Sequence, residues 1–368
     1  MKKIGMLTGG GDAPGLNAVI RAVVKTAELE HNVEVVGIRS GFDGFFDDEG
    51  IMALSRDSIR GLLPRGGTIL GAASRGNPFA RKTMVDGEEV IEDVSEECVR
   101  RIEELELEAL IVVGGDGTLK IARELHDKGV PAIGVPKTID NDVGGTDATF
   151  GFDTALNIGM EALDRLHTTA ESHHRVMILE LMGRDAGFIA LQAGIAGGAD
   201  VILIPEIPFE FEAVCRKITS RVETGRLFSI MAVSEGAHVL GGQQVYRRAE
   251  DGLHVARLGG IGQVVGKFVE SVCGAETRVT VLGHIQRGGT PTAFDRWLAT
   301  HFGAAAIDLA VEGKFGEMVA LRGTDIIHMP LAEALRENRK VDVNGGEVSR
   351  ARGLGIAFGD ESEKPKYK

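Results

Sequence analysis

Five times along this chain a short apolar run stops abruptly at a cluster of glycine and charged residues, and that recurring junction limits the possible fold more than any other feature. The runs at Ile4 to Leu7, Ala109 to Val113, Ala132 to Pro136, Arg175 to Leu181 and Val279 to Leu282 have strand length and are mostly apolar, Ala109 to Val113 without a break, the pattern of buried strands. Further strand patterns occupy Val33 to Ile38, Val201 to Ile204 and Phe228 to Val233, alternating with helical periodicities that include Val19 to Val24, Val99 to Leu105, Asp153 to Leu166, Phe188 to Ala196, Phe211 to Glu223 and Thr292 to Val311. Such a succession predicts an α/β chain with two doubly wound, mostly parallel-sheet domains and the active site in the cleft between them. The expected division is 1–150, 151–311 and a C-terminal segment, 312–368, packing back on the first domain with a frayed tail from Glu361. The loosened pattern of 237–258 reads as an insertion, a hairpin in form.

The junctions themselves carry the chemistry. Glycines after Val113 (Gly114-Gly115-Asp116-Gly117-Thr118) let the backbone approach a ligand closely, and the helix that follows adds the positive end of its dipole, so an anion, a polyphosphate above all, is the expected guest. Taken alone, Gly-Gly-Asp-Gly is often only a turn. Thr8-Gly9-Gly10-Gly11-Asp12-Ala13-Pro14-Gly15 repeats the theme after the first strand, and lacks both the Gly-Lys-Ser/Thr of a Walker loop and the dinucleotide spacing. After Pro136 comes Lys137-Thr138-Ile139-Asp140-Asn141-Asp142. Two carboxylates two residues apart point the same way if the chain is extended, one as a base and the other orienting it or holding a cation.

Composition removes competing classes. A formal charge of −13 and 5% aromatic residues argue against nucleic acid and against an anionic membrane surface. A phosphate guest must therefore be held by local Arg and Lys against a repulsive background that salt screens beyond roughly 8 Å. Cys98, Cys215 and Cys273 show no paired or metal-finger spacing, so reduced thiols are expected. No apolar run reaches membrane-spanning length, and a cytoplasmic enzyme is the simplest class.

Taken in order, the strand-end motifs resemble those of the phosphofructokinase family, from Lys3 to about Asp342. The resemblance rests on Gly-Gly-Asp-Ala-Pro-Gly at Gly10 to Gly15, Gly-Gly-Asp-Gly at Gly114 to Gly117, Pro-Lys-Thr-Ile-Asp-Asn-Asp at Pro136 to Asp142, Met-Gly-Arg at Met182 to Arg184, and Gly-His-Ile-Gln-Arg-Gly-Gly at Gly283 to Gly289. It implies phosphoryl transfer to the 1-hydroxyl of fructose 6-phosphate, in glycolysis. Asp140 then resembles the base, Thr138 a contact to the moving phosphoryl group, Asp116 the Mg2+ carboxylate, Asp142 a supporting acid and Arg184 a further catalytic group. Gly11, Arg75, Gly76 and Gly114 to Thr118 resemble the ATP site. Met182, Gly183, Arg184, Glu235, His284 and Arg287 resemble the sugar-phosphate site, to which Thr138 and Asp140 also belong. Arg175 and Arg278 resemble arginines that reach a neighbouring subunit's site, implying a homo-oligomer, a dimer or tetramer.

Donor choice turns on two positions. In the family, aspartate in place of Gly117 accompanies pyrophosphate use, whereas glycine leaves room for a nucleotide's α-phosphate; Lys137, by contrast, is usual in pyrophosphate users. The chain resembles the mixed-substrate subgroup that pairs the two and uses ATP, with pyrophosphate the alternative. The effector site of bacterial members is matched at Arg21 and approximately at Lys25, but the stretch Thr224-Gly225-Arg226 lacks much of their lysine cluster, so the resemblance does not extend to regulation by phosphoenolpyruvate or ADP. NAD and lipid kinases share Gly-Gly-Asp-Gly-Thr, and a non-catalytic metabolite-binding subunit is a third reading. The Asp140 to Asp142 cluster and the run His284 to Gly289 argue against the first, and the presence of the candidate base Asp140, the cation ligand Asp116 and the anion-binding arginines argues against the second.

Overall fold

The computed structural model describes residues 1–73, 76–85, 88–248 and 257–360, which form two compact units. The first comprises Met1–Thr154 with Arg287–Asn338, and the second Ala155–Gln286 with the segment from Arg339 onward. This division differs from the expected one at the C-terminal side. The helix Ala293–Val311, expected in the second domain, folds with the first unit, and residues 339–360 fold with the second.

The first unit is built on a sheet in the order Asp325–Pro330, Glu317–Arg322, Ala132–Thr138, Ala109–Gly114, Lys3–Thr8, Glu34–Ile38 and Ile51–Leu54, with Phe150–Gly151 pairing Ala132–Thr138. Only the two outermost pairings on the main path are antiparallel. Successive strand residues point to opposite faces, so alternate apolar residues serve two cores. Ile4, Met6, Ile111 and Val113 pack on one face beneath the helices Leu16–Thr26 and Ala293–Val311, while Leu7, Leu110 and Val112 pack on the other beneath Ser95–Glu104 and Asp116–Asp127. Helices on both faces explain why the strands carry continuous apolar runs. The helix pair on the first face approaches closely because Gly303 has no side chain: a Cβ there would meet Ala22 Cβ and Val19 O at 2.8 Å. Phe302 meets Phe150 edge-on.

The second unit holds a four-stranded parallel sheet, Val201–Leu203, Ser229–Ser234, Val176–Leu181 and Thr277–Val281. Ala357 bridges to Val201 at its edge, and Arg352 holds Asp360 through two bonds of 2.8 Å. Within the insertion, Tyr246–Arg248 pairs antiparallel with Arg257–Leu258, a hairpin base. The tail from Glu361 falls outside the described residues.

One expectation is overturned. Cys215 and Cys273 form a disulfide, their Cα atoms 5.7 Å apart. The helix Phe211–Glu223 and the turn Val269–Cys273 pack together, with Phe211 stacked on Phe268, and bring together two cysteines that 58 positions separate. Cys98 alone remains a free thiol, and burial first, then Glu97, pushes it up to about 12.

Candidate functional site

In the first unit two glycine loops leave neighbouring parallel strands and close around one threonine. Thr118 opens the helix Asp116–Asp127, and a Cβ on Gly9 or on Gly114 would come within 2.6 or 2.4 Å of its side chain. Any larger residue at either position would drive the loops apart. Gly9 N donates to Val113 O at 2.9 Å and Gly10 N to Ala73 O at 3.1 Å, so the long glycine-rich connection lies along the same loop up to Ala73. Arg75 lies outside the described residues; Gly76 packs against Asp43. Gly117 is exposed, and a Cβ there would meet nothing within 4 Å.

Beside this loop pair stands a charged, buried floor. Lys137 is 2% exposed, and its ammonium donates to Gly11 O. Burial above all, then the neighbouring Arg287, lowers its pKa to about 8, against the pull of Asp140, Asp12 and Asp142. Lys137, Arg287 and those acids therefore share one electrostatic neighbourhood. Arg287, expected with the sugar-phosphate contacts, folds with this unit and donates to Asp12 O at 2.9 Å.

The strand Ala132–Thr138 ends in a turn, and here the extended arrangement expected for Asp140 and Asp142 does not occur. Asn141 takes φ 55°, a left-handed conformation that asparagine tolerates better than most residues, and its Oδ1 accepts from Thr149 N at 3.0 Å. The backbone is thus not extended between the two acids. Asp140 is 4% exposed; its N–H donates to Thr138 Oγ1 at 3.1 Å, and Thr138 Oγ1 donates to its Oδ2 at 3.3 Å. Asp116 accepts from Lys120 Nζ at 3.1 Å. Burial alone would raise the Asp116 pKa, but the Lys120 hydrogen bond and charge, with bonds from Gly117 N and Asn338, hold it below the usual carboxylate range. Asn338 Nδ2 donates to both Asp116 and Asp142, at 3.4 and 3.5 Å, so the two acids belong to one cluster. Hard carboxylate oxygens grouped in this way suit a magnesium ion.

In the second unit the strand Val176–Leu181 runs into Met182-Gly183-Arg184. Gly183 and Arg184 both have positive φ, 149° and 50°, and a Cβ on Gly236 would lie 1.9 Å from Arg184 O. The tight turn presses its carbonyl against a bare backbone and leaves the Arg184 side chain exposed. Arg184 N approaches Glu235 Oε1 at 3.4 Å. Gln286, fully buried, accepts from Met182 N at 2.8 Å and ties this turn to the Gly283–Arg287 segment that carries exposed His284. Arg175 and Arg278 share one carboxylate: Glu276 Oε1 lies 2.9 Å from Arg175 Nη2 and also accepts from Arg278.

Sequence reasoning missed Lys120, Asn338, Gly236, Gln286 and Glu276. Lys120 had a usable signal, its i,i+4 spacing from Asp116. Glu276 had its place two residues before Arg278. The other three depend on contacts between distant segments.

The family model for phosphofructokinase matches residues 3–310. The chain is 54% identical over 361 residues to an ATP-dependent 6-phosphofructokinase of Chloroflexus aurantiacus, covering 98% of each chain. It is 52% identical to a pyrophosphate–fructose 6-phosphate 1-phosphotransferase of Streptomyces coelicolor, over 92% of this chain and 96% of that one. The solved phosphofructokinase of Saccharomyces cerevisiae superposes with a TM-score of 0.77 at 30% identity, over 91% of this chain and 45% of that longer one. With a family model spanning most of its length and a relative of that name 54% identical over 98% of each chain, the chain belongs to the phosphofructokinase family.

Proposed function

We propose that this chain transfers the terminal phosphoryl group of ATP to the 1-hydroxyl of fructose 6-phosphate, giving ADP and fructose 1,6-bisphosphate. The observation that carries the reading is the buried Asp140 carboxyl, set in the same charged cluster as the glycine-loop floor. Asp140 accepts the proton of the 1-hydroxyl as its oxygen bonds to phosphorus, and the bond from that phosphorus to the β–γ bridging oxygen breaks with its electrons passing to ADP. Thr138 orients Asp140 through the hydrogen bonds described and contacts the moving group. Little covalent help is needed in such a reaction, so alignment and compensation of oxygen charge dominate. Gly11, Arg75, Gly76 and the amides of Gly114 to Thr118 bind the donor. Met182 to Arg184, Glu235, His284 and Arg287 bind the acceptor, where the guanidinium groups of Arg184 and Arg287 suit phosphate oxygens. Asp116, supported by Asp142, holds Mg2+, which when bound offsets charge on the phosphate oxygens.

Gly117 favours ATP because the open space at its Cβ position leaves room for a nucleotide's phosphates. Lys137 and the name of the Streptomyces relative support pyrophosphate as the second reading. A coupled assay with fructose 6-phosphate decides between donors: turnover with ATP is expected, and turnover with pyrophosphate alone contradicts the reading. In the same proposal the enzyme is cytoplasmic and a homo-oligomer, its Arg175 and Arg278 serving a neighbouring subunit's acceptor site. No helix among the described residues is long and apolar enough to cross a membrane.

A further inference from the structure

Asn338 belongs to none of the motifs that single out the other site residues, yet two of them converge on its amide. Asp116 comes from the loop after Ala109–Gly114 and Asp142 from the turn after Ala132–Thr138, and each presents Oδ2 to the same nitrogen, at 3.4 and 3.5 Å. Both contacts are long for hydrogen bonds. The amide is therefore clamped by neither carboxylate and occupies a place between them that favours positive charge. Lys120 donates to the same Asp116 Oδ2 at 3.1 Å.

A carboxamide is nearly the same size at its two ends but opposite in polarity. Rotation about its last torsion exchanges two N–H donors for one carbonyl acceptor without moving the backbone. Here the N–H end faces the acids. A divalent cation beside Asp116 repels that end and attracts the oxygen. We propose that Asn338 is a neutral oxygen ligand, contributed by the C-terminal segment, for a divalent cation held at Asp116. This rests on the reading of Asp116 as the cation's carboxylate. Neutrality has a use here: a third carboxylate would add negative charge facing the donor's phosphates, whereas an amide oxygen completes the hard-oxygen set without it.

Mn2+ serves as the probe, with bound and free ion counted by electron paramagnetic resonance on the nucleotide-free protein, so that the readout does not depend on turnover. Asn338→Leu is expected to weaken Mn2+ binding roughly tenfold, and Asn338→Asp, which keeps an oxygen, to bind at least as tightly as the parent. Asp116→Asn, run alongside, weakens binding if the underlying reading holds. Should Asn338→Leu bind Mn2+ as tightly as the parent or more tightly while Asp116→Asn loses it, the amide is only a spacer and the proposal fails. Should Asp116→Asn also bind unchanged, the assignment of Asp116 fails as well. Asn338 is exposed, so neither substitution at this position threatens the fold.

Discussion

The two units solve the same problem, presenting charge at a strand end, in opposite ways. In the first, Lys137, Thr138, Asp140 and Asn141 are buried and bound to one another or to backbone, so the protein's own groups hold the arrangement. In the second, Arg184, His284 and Arg278 project into solvent while uncharged backbone groups are held from beneath. Gln286 fixes Met182 N, Glu180 accepts from Gly260 and Gly262 N–H groups at 2.8 to 3.1 Å, and Glu206 accepts from Gly187 N at 3.0 and 3.1 Å. Those two carboxylates fill the N-termini of the helices Ile261–Phe268 and Phe188–Ala196. A buried charge cluster costs stability and gives fixed geometry, which suits chemistry. Exposed arms on a pinned turn cost little and suit capture of a substrate.

The largest effects should separate the units by substrate. Gly117→Asp introduces a carboxylate where the protein itself offers no clash, so kcat/KM for ATP should fall on the order of a hundredfold while the KM for fructose 6-phosphate holds. Arg184→Ala should do the reverse, raising the KM for fructose 6-phosphate roughly 10- to 100-fold and sparing that for ATP. Steady-state kinetics on both variants checks the pair, and equal effects of either variant on both substrates would erase the contrast.

Stability gives the next contrast. Cys273→Ser removes the constraint on the second unit and should cost about 2–4 kcal/mol, read by denaturant unfolding. Kinetic constants for ATP should not follow.

The smallest effect tests the cost of buried charge in the first unit. Because the folded pKa of Lys137 lies near 8, below its ordinary 10.5, the folded protein binds fewer protons than the unfolded chain across that window, and stability from this group rises with pH there. Below pH 8 the penalty is present in full. Lys137→Met should therefore melt higher than the parent at pH 7, with the gap shrinking as pH climbs from about 8 to 10.5. A gap that does not change with pH would mean the lysine carries its charge at no cost.

Much of this arrangement was legible in the sequence because local pattern and tertiary role agreed. The helices Phe188–Ala196 and Phe211–Glu223 fall where their periodicity puts them, and the glycine loops end the strands that precede them. Legibility failed where distant segments decide the outcome. The helix Ile261–Phe268 was hidden by Gly262 and Gly266, poor helix formers used here because a Cβ on either would press on Val279, at 3.2 and 2.9 Å. The hairpin Glu317–Arg322 with Asp325–Pro330 went unread, although the segment that carries it was expected to pack back on the first domain. The disulfide was invisible to spacing, and the left-handed Asn141 looked in sequence like an ordinary polar link.

The central claim is that Asp140 takes the proton from the acceptor hydroxyl. Asp140→Asn keeps the shape of the side chain and its bond to Thr138 while removing the base, and kcat at saturating ATP and fructose 6-phosphate should fall by roughly 10²- to 10⁴-fold with both KM values little changed. A variant that keeps the parent's kcat would contradict the account.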